Sequence, residues 1–275
     1  MLKQVKRLTS GYFEGSFEVR SDLNKLRKVK SLTMRLKKNN GRDDTGRISS
    51  RHLGGGAKKI YRVISDLSDI KTPSKVIDIQ YDPNRSANIA LLETEDGRKR
   101  YIISPEKLKI GSVISYKEEE NLKTGDRAML KNIPVGSSVH DVEILPYSKG
   151  KFARSAGTFA TLMAIEEGYA LLKMPSGELR EVHEKCLASL GQVSAIDHGN
   201  VRIGKAGRMR HMGKRPTVRG KAMHPAAHPH GGGEGVNPIG LKYPKTPWGK
   251  IAIGKKTRAK KLSDKYIISR RKKKG

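Results

Sequence analysis

Three histidines and a glutamate, His224, His228, His230 and Glu234, fall within eleven residues of a 275-residue chain. Imidazoles with a carboxylate can ligate a metal, and an imidazole titrating near neutrality can act as a general acid or base. No thiolate accompanies them, and the surrounding Pro225, Pro229 and Gly231-Gly232-Gly233 give a backbone that does not preorganise a ligand set. Ser155 stands between Ala153 and Gly157 and so lacks the paired glycines of a nucleophile elbow. Gly207 and Gly213 lie one residue too far apart for a phosphate-binding loop before Lys214, and Arg215 replaces the hydroxyl that would hold magnesium. The single cysteine, Cys186, excludes an internal disulfide and reads as a small buried hydrophobe. No catalytic residue, metal ligand or cofactor is assigned.

The remaining chemistry is electrostatic. Lys and Arg number 57 against 27 Asp and Glu, a formal charge of +30 that calls for a polyanionic partner. The excess is not spread evenly: residues 1–60 carry +11, 61–125 carry 0, 126–200 carry −1 and 201–275 carry +20. No apolar run approaches the roughly 18 residues of a membrane span, so the partner is read as nucleic acid and not as a membrane. The stretch Met1–Arg7 lacks an apolar core behind its charges and does not read as a secretory signal.

In the tail, 12 Gly and 6 Pro are interleaved with single cations, as in Gly204-Lys205-Ala206-Gly207-Arg208-Met209-Arg210 and Lys214-Arg215-Pro216-Thr217-Val218-Arg219-Gly220. Gly permits close backbone approach, Pro fixes extended segments, and the guanidinium fork binds phosphate. Such a chain suits threading between RNA helices. A plain solubility tail ending in Arg270-Arg271-Lys272-Lys273-Lys274 is the competing reading. With only three aromatics, Tyr243, Trp248 and Tyr266, the tail is expected to be mobile when alone.

The neutral middle must hold these flanks in place. Short β-branched and aromatic runs predict strands at Lys59–Ser65, Lys75–Tyr81, Ala87–Glu93, Lys99–Ile103 and Ser112–Tyr116. Turns are expected at Asp82-Pro83-Asn84 and Glu95-Asp96-Gly97. Five short strands suggest an OB-like barrel. A second small barrel is predicted from Ser138–Leu145, Thr158–Ile165, Tyr169–Met174, Glu178–His183 and Gly191–Ile196, with turns at Glu166-Glu167-Gly168 and Pro175-Ser176-Gly177. The seam is placed at Thr124-Gly125-Asp126, and no repeat period is found. The expected map is a basic extension 1–60, an OB-fold RNA-binding domain 61–125, a second barrel 126–200 and a basic Gly/Pro-rich extension 201–275.

From Asn39-Asn40-Gly41 and Thr45-Gly46-Arg47-Ile48-Ser49-Ser50-Arg51-His52-Leu53-Gly54-Gly55-Gly56 onward, the chain resembles the bacterial-type ribosomal protein L2 (uL2) family. The likeness continues through Tyr81-Asp82-Pro83-Asn84-Arg85-Ser86-Ala87, Asn132-Ile133-Pro134-Val135-Gly136 and Ala153-Arg154-Ser155-Ala156-Gly157-Thr158. It extends to His228-Pro229-His230-Gly231-Gly232-Gly233-Glu234-Gly235 and Thr246-Pro247-Trp248-Gly249-Lys250. The resemblance implies an OB-like barrel followed by an SH3-like barrel, docked on large-subunit rRNA, with basic extensions reaching toward the peptidyl transferase region. It further implies roles in assembly, subunit association and tRNA support, neighbouring ribosomal proteins as partners, and contact with the small subunit at a bridge. A bacterial cytoplasmic ribosome is the expected location, with an organellar ribosome as the alternative.

Residues and resemblance together assign rRNA binding to Arg47, Arg51, His52, Gly54, Gly55, Gly56, Lys58, Lys59, Arg85, Arg154, Lys205, Arg208, Arg210, Lys214, Arg215, Arg219, Trp248, Lys250, Lys255, Lys256 and Arg258. His228 and His230 are placed near the peptidyl transferase centre, positioning their loop by hydrogen bonding or stacking. The chain departs from the family pattern at Ala227, where the family has Asp, and at His224, where it has Asn. Arg42-Asp43-Asp44 stands as an insertion, and Leu53 and Ala57 replace polar or basic residues. Two rival readings are a free-standing nucleic-acid chaperone and an enzyme using His228 as base.

Overall fold

The computed structural model describes residues 2–6, 15–20, 23, 28–65, 72–117 and 121–271. Contacts group the chain into one unit of residues 1–38, 58–206 and 263–275 and a second of residues 39–57 and 207–262.

The first unit is mainly β. Its OB-like part is a four-stranded sheet in the order β7-β6-β5-β8, with β5 (Ser74–Gln80), β6 (Ile89–Thr94), β7 (Lys99–Ile103) and β8 (Val113–Ile114). Strand β6 is covered on both faces, which is why it reads Ile-Ala-Leu-Leu without polar alternation. Ile89 and Leu91 join Tyr101 and Ile103 in one cluster, whereas Ala90 and Leu92 join Val76, Ile102 and Ile114 in another. A bulge between Val76 and Asp78 brings Asp78 opposite Leu91. There Gln80 Nε2 donates to Asp78 Oδ2 at 2.6 Å and Tyr101 Oη donates to Gln80 Oε1 at 3.1 Å.

Strand β3 (Thr33–Arg35) pairs antiparallel with β4 (Ile60–Arg62), and Val29 and Leu32 pack on the first cluster. Residues 29–35 of the basic flank therefore cover a sheet face. A parallel bridge from Ile64 to Tyr101 ties the segment after β4 to β7. The short pair β1 (Leu2–Gln4) and β2 (Ser16–Glu18) completes the N-terminal strands.

The SH3-like part is a sheet ordered β17-β15-β14-β13-β10-β16-β9. It comprises β9 (Arg127–Met129), β10 (Ser138–His140), β13 (Ala160–Glu166), β14 (Tyr169–Lys173), β15 (Leu179–His183), β16 (Leu187–Leu190) and β17 (Ile267–Ser269). Alternate residues Leu162, Ala170, Leu172 and Val182 point into a core with Val139, Leu130 and Cys186. The expected turn at Glu166–Gly168 is present, with φ of +50° at Glu167 and +82° at Gly168, the paired positive values a tight hairpin needs.

Three expected strands are corrected. Ser138–Leu145 breaks at Asp141, whose φ is +49°, so that β11 (Val142–Glu143) leaves the main sheet and pairs with β12 (Gly150–Phe152). Gly191–Ile196 is not a strand of this sheet. The strand there is β16, four residues earlier, and Val193 instead forms a single bridge to Pro105. Glu178–His183 begins one residue later, as β15. The tail contributes β17, which pairs with β15 through Leu179↔Ser269 and Arg180↔Ile267.

The second unit has little regular structure. Residues 39–50 form a hairpin bridged between Arg42 and Ile48, closed by Asp43 Oδ1, which accepts from Arg47 N–H at 2.8 Å and Thr45 Oγ1 at 2.7 Å. Those bonds, led by Thr45, lower the Asp43 carboxyl below its usual range. Gly41 is required because a Cβ there would collide with the Ser50 carbonyl. Helix α1 (Ala206–His211) ends at Gly213, whose φ is +89°, with Lys214 N–H donating to Met209 O at 3.1 Å.

Candidate RNA interface

In the first unit the two loops singled out from sequence meet. Ala156 N–H donates to Ser86 Oγ at 3.0 Å, joining the loop of Arg85 to the loop of Arg154. Both guanidinium groups already have partners. Arg85 Nε donates at 2.8 Å to buried Asp82, which also faces Arg62 Nη1 at 3.5 Å, and the Arg85 head lies 5.8 Å from the Tyr61 ring. Arg154 Nη1 donates to Gly150 O at 2.6 Å, and its Nε lies 2.9 Å from Asp141 Oδ1 without hydrogen-bond alignment. These contacts fix both side chains while leaving them half-buried at the surface.

Asp141 belongs to a deeper network. Fully buried Arg127 donates through Nη1 to Asp141 O at 3.0 Å and through Nη2 to Glu143 Oε1 at 3.3 Å, and Glu143 Oε2 accepts from Leu187 N–H at 3.0 Å. The neighbouring His140 is also buried, and burial holds its pKa down to about 4 against the opposing pull of Asp141. Cys186 lies within the core, where burial pushes its thiol up to about 12 and leaves it un-ionised. A solvent-facing pair not foreseen from sequence is Arg20, whose guanidinium sits 3.6 Å from the centroid of exposed Tyr81.

In the second unit the glycine triplet serves backbone packing. Gly54 N–H donates to Gly213 O at 2.8 Å, Arg215 N–H to His52 O at 2.9 Å, and a Cβ on Gly56 would come within 2.9 Å of Gly213. The Gly54 amide is therefore occupied by the backbone of Gly213, while Gly55 is exposed. Beside it lies a cleft of about 560 Å³ in which Arg51, His52 and Arg215 gather with Arg42. Arg51 stands 5.0 Å from the ring of Trp248, which is 73% exposed at the tip of a hairpin bridged between Lys245 and Ile251.

Of the other assigned residues, Arg47, Lys58, Gly55, Arg210, Lys214, Arg219, Lys250, Lys255, Lys256 and Arg258 are exposed, and Lys59, Lys205 and Arg208 are half-buried. Arg42 was missed; its place shortly before the glycine motif was the available signal.

The histidine loop is more ordered than its composition suggests. Gly231 N–H donates to His228 O at 2.8 Å, Gly232 N–H to Met223 O at 3.2 Å, and Gly231 packs against the His224 carbonyl with no room for a side chain. His228 is only 8% exposed, and its ring abuts Gly220. Its Nδ1 accepts from His230 N–H at 3.0 Å, and His230 Nε2 accepts from Lys245 N–H at 2.8 Å. Burial, then the neighbouring His230 and Arg51, lowers the His228 pKa. With Nδ1 occupied, neutral His228 carries its proton on Nε2 and is arranged as a donor, a geometry that does not suit a general base. Among the described residues no group of three potential ligands could hold a metal, and no helix is long and apolar enough to cross a membrane.

Two small β-sheets of balanced charge, with arginines clamped on their loops and a Gly- and Arg-rich unit beside them in the chain, define an architectural nucleic-acid-binding protein. The chain matches the family model of the RNA-binding N-terminal domain of Ribosomal Proteins L2 over residues 29–116 and that of their C-terminal domain over residues 123–249. It belongs to the ribosomal protein L2 family, a family of structural proteins, and has a structural, RNA-binding role in the large ribosomal subunit.

Proposed function

We propose that the chain anchors on large-subunit rRNA by shape and phosphate contacts, through the assigned residues above. On this reading it works in four segments, 1–60, 61–125, 126–200 and 201–275. The observation that carries it is the location of charge: +20 on residues 201–275, where the described cations of the second unit lie mostly at the surface. Exposed cations with little apolar core beneath them acquire a fixed path from the phosphates they neutralise. Recognition of folded RNA then rests on backbone geometry and splayed bases.

The finer roles follow from the same reading. The loop of His228 and His230 lies against rRNA near the peptidyl transferase centre and positions that RNA, with the His228 Nε2–H as donor. The protein supports assembly, tRNA placement and subunit association, contacts neighbouring ribosomal proteins and the small subunit at a bridge, and resides in a bacterial cytoplasmic ribosome. The test is crosslinking in living cells, isolation under denaturing conditions, and sequencing of attached RNA. Reads concentrated in a few large-subunit helices near the catalytic centre are expected; reads scattered over messenger RNAs would contradict the proposal and favour a free chaperone.

A further inference from the structure

The cleft in the second unit is unusual for a phosphate site because two of its walls are apolar. It is lined by Asn40, Arg42, Ile48, Arg51, Leu53 and Arg215, and among the described residues no carboxylate lines it. Ile48 is 61% and Leu53 45% exposed, so neither is held there by a protein core. The volume of about 560 Å³ lies inside the roughly 300–1,000 Å³ range of small-ligand sites. A purely electrostatic groove has no use for exposed aliphatic walls, whereas a nucleobase has apolar faces and a polar edge.

The walls come from the hairpin of residues 39–50 and the segment that follows it. The Arg42-Asp43-Asp44 stretch supplies Arg42 and, through the Asp43 turn, the hairpin that presents Ile48. Leu53 stands on the segment bridged to Lys214. Arg42 is held in place by its Nη1, which donates to Gly46 O at 2.8 Å. The Arg51 guanidinium is shared between this cleft and the face of Trp248.

We propose that this cleft is a pocket for one splayed-out nucleotide of RNA. Its base lies between Ile48 and Leu53, with its polar edge toward the Asn40 amide and its phosphate toward Arg42, Arg51 and Arg215. Trp248 offers the adjacent stacking surface. Single-stranded RNA is recognised by such extruded bases, stacked on side chains and bonded along their edges. The proposal rests on the RNA-binding reading above and adds that this cleft takes a base as well as a phosphate.

The test uses the full chain and in vitro transcribed large-subunit rRNA, with binding measured against salt and base accessibility probed chemically. For Ile48→Ser the expectation is roughly tenfold weaker binding with an unchanged salt slope, because an apolar wall and no cation is removed. Leu53→Lys decides between the alternatives. The pocket predicts weaker binding and renewed reactivity of one protected base despite the added cation, with Leu53→Met behaving as the parent. Tighter binding of Leu53→Lys with a slope steeper by about one and unchanged base reactivity would overturn the pocket and leave a phosphate groove. If the parent chain does not bind this RNA at all, the RNA-binding reading falls first and the pocket with it. Circular dichroism of the variants confirms that each is folded before it is scored.

Discussion

The two units differ in how they use arginine, because the first encloses some of its own among carboxylates. In the first, three arginines are drawn into the protein while others, Arg20 among them, stay exposed: Arg127 is enclosed by Asp141 and Glu143, Arg85 by Asp82, and Arg154 by Gly150 O and Asp141. In the second, Arg47, Arg51, Arg210, Arg215 and Arg219 face solvent, and the backbone is held by close glycine contacts in place of an apolar core. The contrast teaches that +30 is not one electrostatic surface. Cations within residues 61–200 are balanced by carboxylates and shape loops, whereas the excess lies in the flanks, residues 1–60 and 201–275.

The sharpest way to break this contrast is to remove an enclosed cation. Arg127→Ala leaves buried Glu143 without its cation and Asp141 with Arg154 alone, and is expected to cost about 3–5 kcal/mol in urea unfolding, whereas Arg127→Met should cost less. A loss below about 1 kcal/mol would mean that the network is not what holds β9, β11 and β16 together.

A smaller effect comes from His140. Its folded-state pKa of about 4 lies below the 6.5 of the unfolded chain, so between those values only the unfolded chain takes up the proton. Stability from this group is therefore complete above about pH 6.5 and is lost as pH falls toward 4, by about 2 kcal/mol between about pH 7.5 and pH 5. Denaturant midpoints at the two pH values check this, and His140→Gln should remove that part of the slope.

The smallest stability effect belongs to the second unit. Replacing exposed Lys255 and Lys256 by Gln should change unfolding free energy by no more than about 0.5 kcal/mol each. Each replacement should nevertheless flatten the salt dependence of RNA binding by somewhat under one unit per lost phosphate contact. A large stability loss with no change in slope would place those lysines in the fold and not on RNA.

The sheets were legible because β5 and β14 alternate buried and open positions between clear turns, as does the first part of β13. What escaped the sequence reading broke that rule. Strand β9 begins with a charged residue, Arg127, which is buried only because carboxylates distant in sequence meet it. Strand β16 is almost wholly buried, so Leu-Ala-Ser-Leu shows no alternation, and β17 sits within a basic tail. The interface was legible as composition and motif, and Asp82 with Arg85 at i,i+3 was readable as a pair. The cleft was not, because residues 40–55 and Arg215, far apart in sequence, come together through backbone pairing of residues 52–54 with 213–215.

The central claim is that surface cations of a structural ribosomal protein are held by rRNA phosphates. The most direct measurement is the affinity of the full chain for large-subunit rRNA across a salt series. About ten phosphate contacts predict a log–log slope on the order of −7 to −9; a slope near zero would contradict the account.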